Sequence, residues 1–469
     1  MLQLSLNNDS SLPLVDQIVS GIRTHIDDRM LRAGMRLPPI RGFAEQHDIS
    51  RFTVVEAYDR LVALGYVTSR RGSGFYVSSR SEAPNIEVRS GELERAFDNA
   101  GVMYQSLEDS ADRLKVGVGW LPPEWMDAEG VRRNLRALSR RADLHPTSYG
   151  TALGYRPLRE QLRTKLGDFG IAAQPDQILL THGATQALDI IARSMIQPGD
   201  CVFVDDPGYW NLFANLRLYG ANLIGVPRNA NGPDPDAMEA LLQEYRPKAF
   251  FTNSVLHNPT SGNLSPANAF RVLQLAEKHD FLIIEDDAYG DFHPGSTTRL
   301  AQLDQLNRVI YVGSFAKTLS ADLRVGFLAC NPDLRARLTD VKIVSAIANS
   351  EFAERMVYLM LTEGHYRKLI ERVQGRLSEA TDKTLHMLEK KGLKPQGEPK
   401  GGMFVWAEVP GIDDATRLAS DASTQGIMMA PGSIFRPQQQ PSPFLRFNVA
   451  YAQDKRLERY LGEAMPRFL

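Results

Sequence analysis

Apolar residues in the first 80 positions recur at helical spacing, whereas beyond position 112 they gather into short β-rich runs. Val15, Ile18, Ile22 and Ile26 predict a first amphipathic helix. Gly34 breaks that pattern, and Leu37-Pro38-Pro39 opens a second, shorter helix carrying Arg41, Phe43 and Ala44, because proline is tolerated in a first turn. His47-Asp48 predicts a tight turn, and Ser50 is a good N-cap for a third helix. In that helix Val54, Ala57, Tyr58 and Leu61 share one stripe, which leaves Arg51, Phe52, Thr53 and Glu56 toward solvent. Two short strands follow, Tyr66–Ser69 and Phe75–Ser78, joined by Arg70-Arg71-Gly72-Ser73-Gly74, whose glycines permit a tight hairpin.

From residue 113 onward, the runs 178–180, 202–204, 249–252, 281–284 and 309–312 alternate with longer helical patterns. Such alternation predicts parallel strands joined by crossover helices, hence an α/β body. The tract Pro437–Pro443 is expected to be a surface loop. Between the two regions lies a polar connector, residues 81–112, with 8 acidic residues against 2 basic ones. Its Leu93, Phe97, Val102, Tyr104 and Leu107 can line a short helix. The chain is thus expected to be multidomain, with boundaries at 1–80, 81–112 and 113–469.

Charge changes the picture only locally. The 469 residues hold 54 Lys+Arg against 56 Asp+Glu, so net charge speaks neither for nor against nucleic acid. The first 80 residues, however, carry 10 Arg and no Lys against 8 acidic residues. A hydrophobic share of 43% excludes wholesale disorder. Two cysteines, Cys201 and Cys330, make no disulfide framework and fit a reducing, cytoplasmic compartment. No apolar run reaches membrane-spanning length, so no membrane partner is expected. The nine histidines are scattered without metal-ligand spacing, so no metal is expected either.

Helix, turn, helix, with Arg and short polar residues opening the second, is the geometry that enters a major groove. A basic hairpin beside it is a wing that reaches phosphates or the minor groove. The segments Arg-Leu-Pro-Pro-Ile-Arg-Gly-Phe-Ala (36–44), Ser-Arg-Phe-Thr-Val (50–54), Ala-Tyr-Asp-Arg-Leu (57–61) and Gly-Ser-Gly-Phe-Tyr-Val (72–77) resemble the GntR family of winged helix-turn-helix regulators. The resemblance implies a mainly α head with a small β-wing that binds a double-stranded DNA operator. Arg41, Ser50, Arg51 and Thr53 would contact phosphates and base edges, with Arg71 and Gly72 in the wing. Any one of these arginines alone reads as a solvated charge; their order along the chain carries the inference.

In the body, Lys317 follows the β-run of Tyr-Val-Gly-Ser-Phe-Ala-Lys (311–317). A lysine desolvated there loses pKa and becomes nucleophilic enough for a Schiff base with an aldehyde cofactor. Five constellations support it. Gly183 in Leu-Thr-His-Gly-Ala-Thr (180–185) lets a backbone approach closely, and the amides of Ala184 and Thr185 can hold a phosphate at a helix N-terminus. Ser314 and Arg324 can reach the same phosphate. Asp286, at a strand's C-terminal end, can pair with a pyridine nitrogen, and Tyr289 can donate to the ring's phenolic oxygen. Asn258, in His-Asn-Pro-Thr-Ser-Gly (257–262), can bond that same oxygen. Asp206-Pro207-Gly208-Tyr209-Trp210 offers an aromatic face for stacking.

Together these residues resemble the fold type I aminotransferases, from about residue 117 to the C-terminus. The resemblance implies a pyridoxal 5'-phosphate cofactor and an α/β fold with a mixed, mostly parallel sheet and a smaller C-terminal α/β domain. It implies Lys317 as the Schiff-base lysine, Asp286 on the pyridine nitrogen, and Asn258 and Tyr289 on the phenolic oxygen. Tyr209 would be the stacking ring, with Ala184, Thr185, Ser314 and Arg324 on the phosphate. Tyr149 matches a tyrosine that reaches the neighbouring subunit's phosphate, and Arg446 an arginine that clamps a substrate α-carboxylate. Ala316 and Ala321 depart from the family's frequent hydroxyl residue and proline.

A GntR-like head joined to such a body is similar to the MocR family of transcriptional regulators. That resemblance implies a homodimer that senses pyridoxal phosphate, or an amino acid or amine effector, through an aldimine at Lys317. Two other readings stay open: a working aminotransferase with an accessory DNA-binding domain, and a cofactor-free scaffold that uses the fold only to dimerise.

Overall fold

The computed structural model describes residues 6, 12–27, 31, 34–70, 73–78, 107, 112–399 and 401–468, and the chain divides into two compact units, residues 1–89 and 90–469. In the first unit, helices α1 (Leu14–Asp27), α2 (Ile40–His47) and α3 (Arg51–Ala63) precede the antiparallel strands β1 (Val67–Arg70) and β2 (Gly74–Val77). Ile18, Ile22, Phe43, Val54, Ala57, Tyr58 and Leu61 are fully buried in one core. The predicted α3 stripe is therefore the buried one, while Val15 and Ile26 only flank the core. Both prolines stand before α2 and not within its first turn: Pro38 precedes a proline, which disfavours helical backbone, and Pro39 keeps an extended ψ of 141° as N-cap. Asp48 turns the chain with φ 50°, a left-handed conformation Asp tolerates, and its N–H caps α2 at Ala44. Ser50 then caps α3, accepting from the Thr53 N–H at 3.2 Å. Tyr58 Oη donates to the Pro38 carbonyl at 3.0 Å, which fixes the angle between α2 and α3. A feature the sequence did not show is a third edge to the wing, where Arg36 bridges Tyr76 and the Leu37 N–H donates to Phe75.

The second unit is built on an eight-stranded sheet. Its strands are β3 (Ile178–Thr181), β4 (Cys201–Asp206), β5 (Asn222–Asn229), β6 (Gly232–Pro233), β7 (Ala249–Thr252), β8 (Leu282–Asp287), β9 (Val309–Ser314) and β10 (Gly326–Ala329). They lie in the order β3-β10-β9-β8-β7-β4-β5-β6. From β5 through β4, β7 and β8 to β9 neighbours run parallel; β10 is antiparallel to both β3 and β9. The sheet is thus mixed and mostly parallel. Its central strands β7 and β9 are buried at every residue, as expected where crossover helices cover both faces. A second, antiparallel sheet joins β11 (Lys394–Pro395), β12 (Phe404–Glu408), β14 (Phe444–Asn448) and β13 (Ala430–Pro431) in that order, with the helices His365–Lys390 and Lys455–Phe468 nearby in sequence. This is the smaller C-terminal layer.

The tract Pro437–Pro443 is a loop with Gln438, Gln440 and Pro441 exposed, as expected, and it is anchored at its ends: Pro437 and Pro443 carbonyls accept from Arg217 and the Val409 N–H, and Ser442 is buried. Its prolines are confined to main-chain acceptor roles that the neighbouring strands use. One expectation changes: strand β8 does not stop at Ile284 but carries Glu285-Asp286-Asp287 within it. Pleating sends the outer two to one face and Asp286 to the other. Glu285 accepts from the Leu300 and Ala301 amides at 2.7 and 2.8 Å, and Asp287 from Arg299 Nε at 2.6 Å and Tyr311 Oη at 2.7 Å. Only Asp286 is left for the opposite side. No helix of the described residues is long and apolar enough to cross a membrane.

Candidate functional site

Lys317 is held at the carboxyl ends of the parallel strands, three residues beyond β9. Phe315 before it and Leu319 after it are buried, so the intervening backbone has little freedom to move the amine away. Nζ lies 5.7 Å from the ring of Trp120. Burial, with the guanidiniums of Arg446 and Arg324 adding to it, pushes the ammonium down to a pKa of about 8 against the opposing pull of Asp286.

On one side of Lys317 is an anion cradle. The helix Gly183–Met195 begins directly after β3, and Gly183 takes φ +73°. A Cβ on Gly183 would sit 2.9 Å from Arg324 Nη2, and one on Gly326 within 2.8 Å of the Gly183 and Ala184 backbone, so both positions demand glycine. Arg324, itself at φ 50°, thereby reaches the helix start, with Ala184, Thr185 and Ser314 lining the same pocket. Helix N–H groups, a hydroxyl and a guanidinium converge there.

The pocket's floor and walls are Asp286, Tyr209, Asn258 and Tyr289. Asp286 Oδ1 is buried without a partner, and burial together with the neighbouring Asp287 pushes its pKa up to about 7. A protonated ring nitrogen set against Oδ1 would restore its charge. Burial also pushes the Tyr289 hydroxyl up, keeping it a donor, and its ring meets Phe404 edge-on at 5.4 Å. Asn258 Oδ1 accepts from Arg446 Nη1 at 2.6 Å, which leaves its Nδ2 as the donor.

Beyond Lys317 the pocket continues past Trp120 to Arg446, on β14. The guanidinium lies 4.4 Å from the Phe404 ring centroid and 4.8 Å from that of Phe435, and donates to the Gly117 carbonyl. Its Nε is buried without a partner, and burial lowers its pKa to about 10. Among the described residues no carboxylate pairs with it; its partners are Asn258 Oδ1 and the Gly117 carbonyl. A buried guanidinium without a counter-ion is a carboxylate receptor. Pyridoxal phosphate fits this set: a cradle shaped for an anion, an orphan carboxylate oxygen for the ring nitrogen, and a nucleophilic amine between them.

The structure brings together every cofactor residue expected from the sequence except Tyr149, whose side chain is 82% exposed and lines no part of this pocket. Two members escaped the sequence. Trp120 had no spacing to mark it. Asn253 joins the ring-facing groups: its Oδ1 accepts from the Asn258 N–H at 2.8 Å and its Nδ2 donates to the Asp286 carbonyl. Asn253 is in turn held by Asp205, which forms a buried ion pair with Arg228 at 2.8 Å. Burial pushes the adjacent His257 down to a pKa of about 4, so it stays neutral.

The head presents a separate surface. Arg41 and Arg51 are exposed and both turn to Glu45, at 2.9 and 3.8 Å. Ser50 Oγ is occupied as the cap, accepting from both the Thr53 N–H and Thr53 Oγ1 at 3.2 Å. Arg70 lies over the Tyr76 ring at 4.6 Å. Arg71 and Gly72, expected at the wing tip, fall outside the described residues.

Residues 14–77 match the family described as bacterial regulatory proteins, gntR family, and residues 121–463 match aminotransferase class I and II. An uncharacterized HTH-type transcriptional regulator, YdfD of Bacillus subtilis, is 28% identical over 465 residues, covering 96% of this chain and 95% of its own. The HTH-type transcriptional regulator TauR of Rhodobacter capsulatus is 30% identical over 86% of each chain. Among solved structures, LysN of Thermus thermophilus, an alpha-aminoadipate aminotransferase complexed with N-(5'-phosphopyridoxyl)-L-leucine, superposes with a TM-score of 0.72 at 27% identity, over 79% of this chain and 98% of LysN. Head, pocket and full-length relatives agree: the chain belongs to the MocR-type transcriptional regulators, in which a gntR-family DNA-binding domain is joined to a pyridoxal phosphate-dependent class I and II aminotransferase body.

Proposed function

We propose that this regulator reads the occupancy of the pocket around Lys317 and passes it, through the connector 81–112, to a DNA-binding head spanning residues 1–80. The observation that carries the reading is the placement of one depressed-pKa lysine between an anion cradle and a buried, counter-ion-free Arg446. Pyridoxal phosphate supplies an aldehyde that couples reversibly to amines and a ring that accepts electrons. Gly183, Ala184, Thr185, Ser314 and Arg324 hold its phosphate; Asp286, Asn258, Tyr289 and Tyr209 orient its ring. Lys317 supplies the neutral amine, and Arg446 takes the α-carboxylate of an amino acid effector. On the DNA side, Arg41 and Arg51 engage phosphates and base edges, Ser50 and Thr53 set the start of α3, and Arg71 and Gly72 serve the wing.

Exposed apolar side chains on the second unit support a homodimer as part of this reading. Tyr149 (82% exposed) and the pair Val344 (89%) and Ile347 (55%) lie on two stretches of chain that meet where Lys342 Nζ donates to the Ala152 carbonyl at 2.7 Å. A second copy covering this apolar strip would bring Tyr149 toward its partner's phosphate cradle.

The test is a DNA-binding titration against the promoter beside the protein's own gene, with and without pyridoxal phosphate and candidate amino acids. A ligand-dependent shift that Lys317→Ala abolishes, with basal DNA affinity kept, is expected; an unchanged shift in Lys317→Ala overturns the reading. The second reading, an aminotransferase, is favoured by the simultaneous presence of Lys317, Asp286 and Arg446. Sustained turnover of an amino acid with 2-oxoglutarate at about 1 s⁻¹ or more would establish it.

A further inference from the structure

We infer that Phe52 reads sequence, packing its ring against the C5-methyl group of a thymine in the major groove. The inference deepens the DNA-binding reading of the head and rests on it.

Phe52 is the second residue of α3 and is 76% exposed, more than any other large apolar side chain of the first unit's described residues. The face of α3 that holds the core carries Val54, Ala57, Tyr58 and Leu61, all fully buried, and Phe52 lies away from it. Nothing in the head's stability therefore calls for an aromatic ring here, and a polar side chain would be the cheaper occupant. The residues flanking it in the chain are polar. Arg51 precedes it, exposed and only loosely held by Glu45 at 3.8 Å, and Arg41 stands on α2 against the same glutamate. Thr53 follows, its hydroxyl spent on the Ser50 cap.

This charge pattern names the occupant. Two exposed guanidiniums beside the helix start complement phosphates, and phosphate contacts fix the register of a helix without reading sequence. An exposed residue in the leading turn of that helix, next to Arg51, is placed to face the base edges. Phe52 carries no donor or acceptor, so it cannot read the hydrogen-bonding edge of any base. Of the four bases, only thymine presents an apolar group in that groove. A protein partner would need a wider apolar patch than Phe52 and the half-buried Val55 one turn on, which Arg51 and Glu56 border.

The experiment selects binding sites for the full-length protein from a pool of random duplexes. The selected duplex is then remade with each thymine replaced in turn by deoxyuridine, which removes one methyl and nothing else. Wild-type binding should weaken about fourfold at one thymine, or at a symmetric pair, the transfer value of a single methyl. Phe52→Ala should weaken binding to the unmodified duplex by at least that factor and be indifferent to deoxyuridine at that position. Phe52→Leu, which keeps an apolar side chain, should retain the sensitivity. Equal loss on thymine and uridine duplexes in Phe52→Ala, or no sensitive thymine in the wild type, overturns the inference while leaving DNA binding intact. If selection enriches no sequence, the DNA-binding reading falls and this inference with it. Unchanged salt-dependent binding of Phe52→Ala to random DNA shows that the variant head is folded.

Discussion

At the scale of single residues, what matters is which buried polar groups are left without partners. Asp286 Oδ1 and Arg446 Nε are each buried without a partner along the pocket that Lys317 lines, and that is where a ligand gains most. The lysine's ionisation yields a direct expectation. Its pKa lies below the ordinary lysine value, at about 8, so the neutral, reactive amine accumulates as pH rises through 8. At that pH about half the molecules carry it, against roughly one in 300 for an ordinary lysine. The rate at which the cofactor-free protein takes up pyridoxal phosphate, followed by its visible absorption, should therefore rise with a midpoint near pH 8. A midpoint two units higher would show that the amine is not desolvated. Most residues of this pocket were legible because each stands at a strand exit or helix start, positions that hydrophobic runs mark. Asn253 was not, since its meaning lies in bonds to Asn258 and Asp286 that no local pattern encodes.

At the scale of elements, the start of α3 combines a cap with an internal counter-charge. Glu45, in the last turn of α2, holds Arg41 and Arg51 in place of phosphates. DNA must displace it, and its carboxylate repels the backbone as well. Glu45→Gln should therefore tighten DNA binding, by about twofold to fivefold, the worth of an exposed ion pair. The gain should shrink as salt rises. Weaker binding in a fluorescence-anisotropy titration would show that Glu45 orders the arginines for DNA instead of withholding them. The α3 stripe was readable because helical periodicity survives in a single helix. Strand β8 was harder, because three consecutive acids at its end look like a solvated turn. Only the partners supplied from elsewhere, Arg299, Tyr311 and the 300–301 amides, let Glu285 and Asp287 be buried and leave Asp286 on the pocket face. The antiparallel sheet from β11 to β14 was illegible for a related reason: two of its strands are two residues long.

At the scale of the whole molecule, two units with separate cores can influence one another only through a free-energy coupling. A ligand in the pocket changes DNA affinity by no more than the difference in its affinity for the DNA-bound and DNA-free forms. Such couplings typically amount to about 1–3 kcal/mol, or roughly 5-fold to 150-fold. Linkage makes this reciprocal. Whatever factor the effector imposes on operator affinity, saturating operator must impose on effector affinity. Titrating the effector against cofactor-loaded protein, followed by cofactor absorption with and without operator DNA, measures the second factor independently of the first. Arg446→Ala should remove both together for any effector bearing a carboxylate, because it strips the guanidinium that the pocket keeps free of a counter-ion. The same substitution should leave the response to an amine without a carboxylate largely in place. If Arg446→Ala abolished the two responses alike, the pocket would have been disrupted, not deprived of one contact, since Arg446 also orients Asn258 at 2.6 Å. If the two factors differed for the intact protein, the pocket and the head would not share one pair of states.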